Sequence, residues 1–179
     1  MKLFLGIFLS IFLINCAPAQ THKCDGYHYN TLNEMISWNT KVPVTFYLDN
    51  SFPKDKIHLI KEAMDTWNNI VGKQILVLQD EVLEGKDKKL KDGKNVISLV
   101  NSVGVNKLGV TYTWSRGDQI VEADILLIDK GTDIKTIIHE LGHSLGLEHS
   151  EDENSIMFYA YGEDQEITKR DIKNIRCGY

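Results

Sequence analysis

Val44, Phe46 and Leu48 alternate with Thr45 and Tyr47, and this period of two predicts a strand over Val44–Leu48. The period then changes. Asn50, Ser51 and Pro53 are start signals for a helix. Ile57, Ile60, Met64, Trp67 and Val71 recur at spacings of three and four, and Gly72 follows as a stop. Ile75–Leu78, Asn95–Val100, Gly109–Trp114 and Ile120–Ile128 are short apolar or alternating runs that predict four more strands. Ser115 to Asp118 is a polar turn between the last two. The segment from Asp80 to Lys94 is charged and lysine-rich, and is expected to be a solvated loop rather than a binding patch. A second helix is expected from Thr132 and Asp133, which suit its free N–H groups, through Ile134, Ile137, Ile138, Leu141 and Leu145 to Gly146. Glu148 to Glu166 has no sustained period. Thr168 to Asp171 opens a last short helix as a capping box, with Ile172 and Ile175 on its apolar face. One α+β domain with a mostly irregular lower part follows from this order.

Composition leaves that picture in place. The chain has 179 residues, 42% apolar and 25% charged, which is ordinary for one globular domain. A net charge of −5 argues against a nucleic-acid partner. The N-terminus stands apart. After Met1 and Lys2, the run Leu3–Ile14 is apolar except at Gly6 and Ser10, too short to span a bilayer comfortably and placed as an export signal would be. We therefore divide the chain into a signal over 1–15, an N-terminal segment over 16–41 and a main domain over 42–179. Leu13-Ile14-Asn15-Cys16 resembles a bacterial lipoprotein box in which Cys16 is lipidated, although Asn15 departs from the usual small residue. Ala17-Pro18-Ala19 offers a second cleavage site, which would release a secreted chain from Gln20. Export to the cell envelope or the medium is expected either way. Cys24 and Cys177 remain, and two cysteines in an exported chain suggest a disulfide. In the chain-entropy model so long a loop contributes roughly 5 kcal/mol.

Candidate chemistry is concentrated late. His139 and His143 lie four apart in the second predicted helix and so share a face. With Glu140 between them they form H-E-x-x-H, a pattern that presents two zinc ligands and a general base. The bland alternative is two histidines on an exposed face. Ile137, Ile138, Leu141 and Leu145 argue for a buried helix instead, where two unpartnered imidazoles would be costly. A left-handed turn at Gly146 would carry the chain back and deliver His149 as a third ligand. Three imidazoles leave one zinc position open, the arrangement of a catalytic site. His22, His28 and His58 have no motif around them and are expected at the surface.

The full pattern, His139-Glu140-x-x-His143-x-x-Gly146-x-x-His149, matches the metzincin metallopeptidase motif at every fixed position. Within that family the chain resembles the matrixins, the matrix-metalloproteinase group, over about Val42 to Ile175. Ser150 after the third histidine is the matrixin choice. Ser155-Ile156-Met157 resembles the Met-turn, whose methionine forms a hydrophobic floor beneath the zinc. Ile167–Ile175 resembles the closing helix, and Leu108–Trp114 resembles the edge strand that pairs with an extended substrate, here through Gly109, Val110, Thr111 and Tyr112. The resemblance implies a twisted mixed five-stranded sheet, two long helices above a cleft and a small lower subdomain.

It also implies function. An exported, monomeric zinc endopeptidase is expected, with one catalytic zinc, Glu140 as general base and protein or peptide substrates. The competing reading is a surface-anchored metal-binding or adhesion module on the same fold. Glu140 speaks against it, because such a module has no chemical need for a base. Three departures qualify the likeness. Asn101 to Gln119 has no histidine, so a second, structural zinc is not expected, and calcium binding stays open. Cys24-Asp25-Gly26 could imitate the cysteine that caps the zinc in latent members, although pairing with Cys177 is the better expectation. Tyr159 stands where matrixins carry proline. In astacins and serralysins a tyrosine there ligates zinc or stabilises the transition state, and a wall of the specificity pocket is the equal alternative.

Overall fold

Alternation along the first strand, β1 (Val44–Asp49), turns Val44, Phe46 and Leu48 into the core. The computed structural model describes residues 24–83 and 90–179. The expected export segment, with Cys16 and His22, and residues 84–89 of the charged loop lie outside the described residues. Helix α1 (Ile57–Val71) buries Ile60, Met64 and Trp67 and ends at Gly72, whose φ of +80° is the left-handed cap expected there. β2 (Leu76–Leu83), β3 (Asn95–Leu99), β4 (Gly109–Arg116) and β5 (Gln119–Leu127) complete a five-stranded sheet in the order β2-β1-β3-β5-β4. Only β4 runs antiparallel to its neighbour. β2 extends five residues past the predicted end at Leu78. It lies at the sheet margin, where polar residues such as Gln79 and Asp80 can face water.

Helix α2 (Ile134–Ser144) starts at Asp133, whose carboxylate accepts from the N–H groups of Lys135 and Thr136. It buries Ile137, Ile138 and Leu141 against α1, and the Trp67 indole N–H donates to the Ile138 carbonyl at 3.0 Å. Helix α3 (Lys169–Gly178) opens with the predicted Thr168/Asp171 capping box. Ile175 is fully buried and Ile172 partly so.

Both ends of the described chain converge on the end of α2. Cys24 is bonded to Cys177, 153 residues away. Tyr27 bridges Leu147, and Ser37 bridges Gln119. The Trp38 indole donates to the Ser144 carbonyl at 2.8 Å, and the Tyr179 hydroxyl donates to the Leu145 carbonyl at 2.7 Å. Residues 24–41 therefore pack as a strap across the helix that carries the histidines.

Candidate metal centre

α2 sets His139 and His143 one turn apart, and two main-chain carbonyls orient them. Nδ1 of His139 donates to Ile156 O and Nδ1 of His143 to Leu147 O, both at 2.7 Å. These bonds leave each Nε2 as a bare lone pair in the neutral ring. Gly146 then turns the chain with φ +94°. A side chain there would be strained, and its Cβ would lie 2.5 Å from Ile36 O. Beyond the turn, Glu148 N–H donates to Gly26 O at 2.8 Å and Ser150 N–H to Met157 O at 2.8 Å. Between these two anchors stands His149. Its Nε2 lies 3.1 Å from that of His143, which in turn lies 3.0 Å from that of His139.

The two bare lone pairs of His139 and His143, with their Nε2 atoms 3.0 Å apart, repel one another unless a cation stands among the rings. Protonation is a poor remedy, because burial holds all three imidazoles below their ordinary pKa, His143 down to about 3. Three nitrogen donors, two of them on rings fixed by carbonyl acceptors, fit zinc.

Glu140 lies on the same helix and is 5% exposed. Burial pushes its carboxyl up to about 7, against the pull of a Thr111 hydrogen bond and the charge of Lys107. The Thr111 hydroxyl is 2.6 Å from Oε2 and 3.0 Å from the main-chain oxygen of Glu140. Met157 is buried with its sulfur packed on α2 at Gly142, where an added Cβ would stand 2.5 Å from Sδ. Its N–H donates to Ser155 Oγ at 3.0 Å, and Ser155 donates to the buried Asp171 carboxylate of α3. α3 thereby braces the methionine loop from below.

Residues 101–179 match the family model described as Matrixin. Macrophage metalloelastase of Oryctolagus cuniculus is 29% identical over 188 residues, spanning 90% of this chain and 38% of that protein's length. The crystal structure of metalloproteinase-II from Bacteroides fragilis superposes with a TM-score of 0.52 at 16% identity, covering 76% of this chain and 54% of that one. Over residues 101–179 the chain is thus similar to the matrixins, and its fold is similar to that of the Bacteroides fragilis metalloproteinase.

The α+β sheet architecture expected from this likeness is the one observed. Gly109 to Tyr112, the segment that resembles the matrixin edge strand, lies on β4 at the margin of the described sheet, and Tyr112 is 42% exposed. Cys24 is consumed by its bond to Cys177 and has no free thiol to cap a metal in this state. Tyr159 is 71% exposed, its ring packed on Phe158 at 4.5 Å. His28 is at the surface, paired with Glu148 at 2.9 Å, one residue from His149. Sequence reading of the matrixin pattern missed three parts of the site: the strap over 24–41, the Ser155–Asp171 brace, and the Thr111 bond to Glu140. Only Thr111 left a signal. It stands two residues from Gly109, on the same face of the strand, and both side chains are small.

Proposed function

We propose that this chain is an exported zinc-dependent endopeptidase that hydrolyses internal bonds of extended polypeptides. The convergence of three Nε2 atoms within 3.1 Å of their nearest neighbour, with a buried carboxylate on the same helix, carries that reading. His139, His143 and His149 would hold the ion. Zinc bound there supplies Lewis acidity. Glu140 accepts a proton from the attacking water and delivers it to the leaving amine nitrogen. A carboxyl held near neutrality suits both halves of that transfer, since it takes up and releases a proton at little cost. β4 pairs with β5 alone among the described strands and offers its outer margin to an extended peptide, so recognition rests on backbone more than on sequence. The Cys24–Cys177 disulfide supports an oxidising compartment. A lipid anchor at Cys16 belongs to the same proposal.

The test is digestion of a mixed peptide library by the purified zinc-loaded chain. Internal cleavages that stop with a chelator and return with added zinc are expected. Zinc-loaded protein that cuts nothing would end the proposal.

A further inference from the structure

We propose that Thr111 is a positioning residue for the reaction, fixing the Glu140 carboxylate from the strand that receives the substrate backbone. The inference rests on the proteolytic reading above. Thr111 is the one side chain that hydrogen-bonds Glu140 among the described residues. A threonine hydroxyl has a single proton, and two acceptors compete for it. Carboxylate Oε2, at 2.6 Å, is the closer and the charged one.

Space is arranged to match. Two residues earlier on the same face of β4, Gly109 lies under the carboxylate. A Cβ there would stand 2.7 Å from Oε1 and 2.9 Å from Cγ of Glu140, and 2.9 Å from Leu127 Cδ2. The absence of a side chain at 109 and the hydroxyl at 111 together seat the carboxylate on the strand. Oε2 is held, and Oε1 is left to exchange the proton.

The second acceptor has a use in the cycle. When Glu140 has taken the proton from water, its carboxyl is neutral and needs the hydroxyl less. Thr111 can then turn to the main-chain oxygen of Glu140, 3.0 Å away, so no buried donor is orphaned. The proton returns from Glu140 to the departing amine, and Thr111 keeps its own throughout. Tying base and substrate strand together also means that a shift of β4 on substrate binding carries the carboxylate with it.

Thr111→Val keeps the shape and removes the donor, while Thr111→Ser keeps the donor. Both would be compared with the wild-type full chain, zinc-loaded, on one cleaved peptide. In the valine variant kcat is expected to fall roughly 10- to 100-fold with KM changed less than about threefold, as for loss of a positioning contact. The serine variant should stay within about threefold of wild type in kcat. Zinc content and thermal midpoint should match in all three proteins. A valine variant within about twofold of wild type in kcat overturns the proposal, as does a serine variant as slow as valine, since shape rather than the hydroxyl would then matter. A wild-type chain that cleaves no peptide defeats the proteolytic reading itself, a result distinct from either.

Discussion

Two of the three histidines stand on a helix and the third on a loop, and the supports differ in kind. His139 and His143 inherit their places from α2, which is capped by Asp133 and pinned to α1 by the Trp67–Ile138 bond. His149 depends on partners outside the helix, one of them far away in sequence. The Gly26 carbonyl holds Glu148, the Met157 carbonyl holds Ser150, and Gly146 provides the turn between helix and loop. Gly26 is itself two residues from Cys24, which is tied to α3 through Cys177. The helical pair is thus a product of local structure. The third position is a product of closure between the two ends of the domain.

That contrast can be broken at Gly146. Gly146→Ala combines left-handed backbone strain with a Cβ against the Ile36 carbonyl, and should cost about 3 kcal/mol or more by chemical denaturation. Zinc affinity should fall with it, because His149 is displaced. Gly72→Ala is the matched control. It has nearly the same φ, but nothing lies within 4 Å of the added Cβ, so about 1 kcal/mol is expected with zinc affinity unchanged. Equal effects at the two glycines would show that surroundings do not distinguish turn from cap.

Reducing the Cys24–Cys177 bond sharpens the same contrast from the other side. A loss of roughly 2–5 kcal/mol in global stability is expected. Zinc affinity should also drop, by about tenfold if loosening the strap costs roughly 1.4 kcal/mol in holding His149. A reduced protein with wild-type zinc affinity would show that the strap does not position the third histidine.

The smallest effect is expected in the sheet, away from both supports. Asp124 is buried and accepts from the Val96 N–H at 2.9 Å. Burial first, with a contribution from the Glu122 charge, raises its carboxyl from 3.8 to about 6. The folded pKa lies above the unfolded one. The contribution to stability is therefore full below about pH 4 and is lost as pH rises through about 6. Asp124→Asn keeps an acceptor for Val96 and removes the charge. It should stabilise by about 1–3 kcal/mol at pH 8 and by little at pH 4, with zinc affinity unchanged at both. A variant no more stable than wild type at pH 8 would contradict this.

Much of the helical half was legible in the sequence. The apolar spacing through Ile134, Ile137, Ile138 and Leu141 defined α2, and Asp133 and Gly146 marked its limits. The five strands were visible as short apolar or alternating runs, and β1, β3 and β5 turn buried residues into the core while β4 is only partly covered. β2 was read short for a physical reason: a marginal strand carries polar residues without penalty, and these look like loop. The support of His149 was less legible. A disulfide was expected from the cysteine count, but main-chain bonds from Gly26 and His28 leave no residue pattern, since any sequence can make them. The Thr111–Glu140 and Ser155–Asp171 contacts join residues 29 and 16 apart on different elements, and helical or strand periodicity cannot report on such pairs.

The central claim is that the three imidazoles hold the metal and Glu140 moves the proton. Glu140→Gln separates the two, since the amide cannot accept the proton while the histidines are untouched. Zinc content and cleavage of one peptide should be measured side by side on wild type and variant. We predict equal zinc, one ion per chain, and a fall in kcat of about 10²- to 10⁴-fold. Equal zinc with undiminished cleavage would contradict the account.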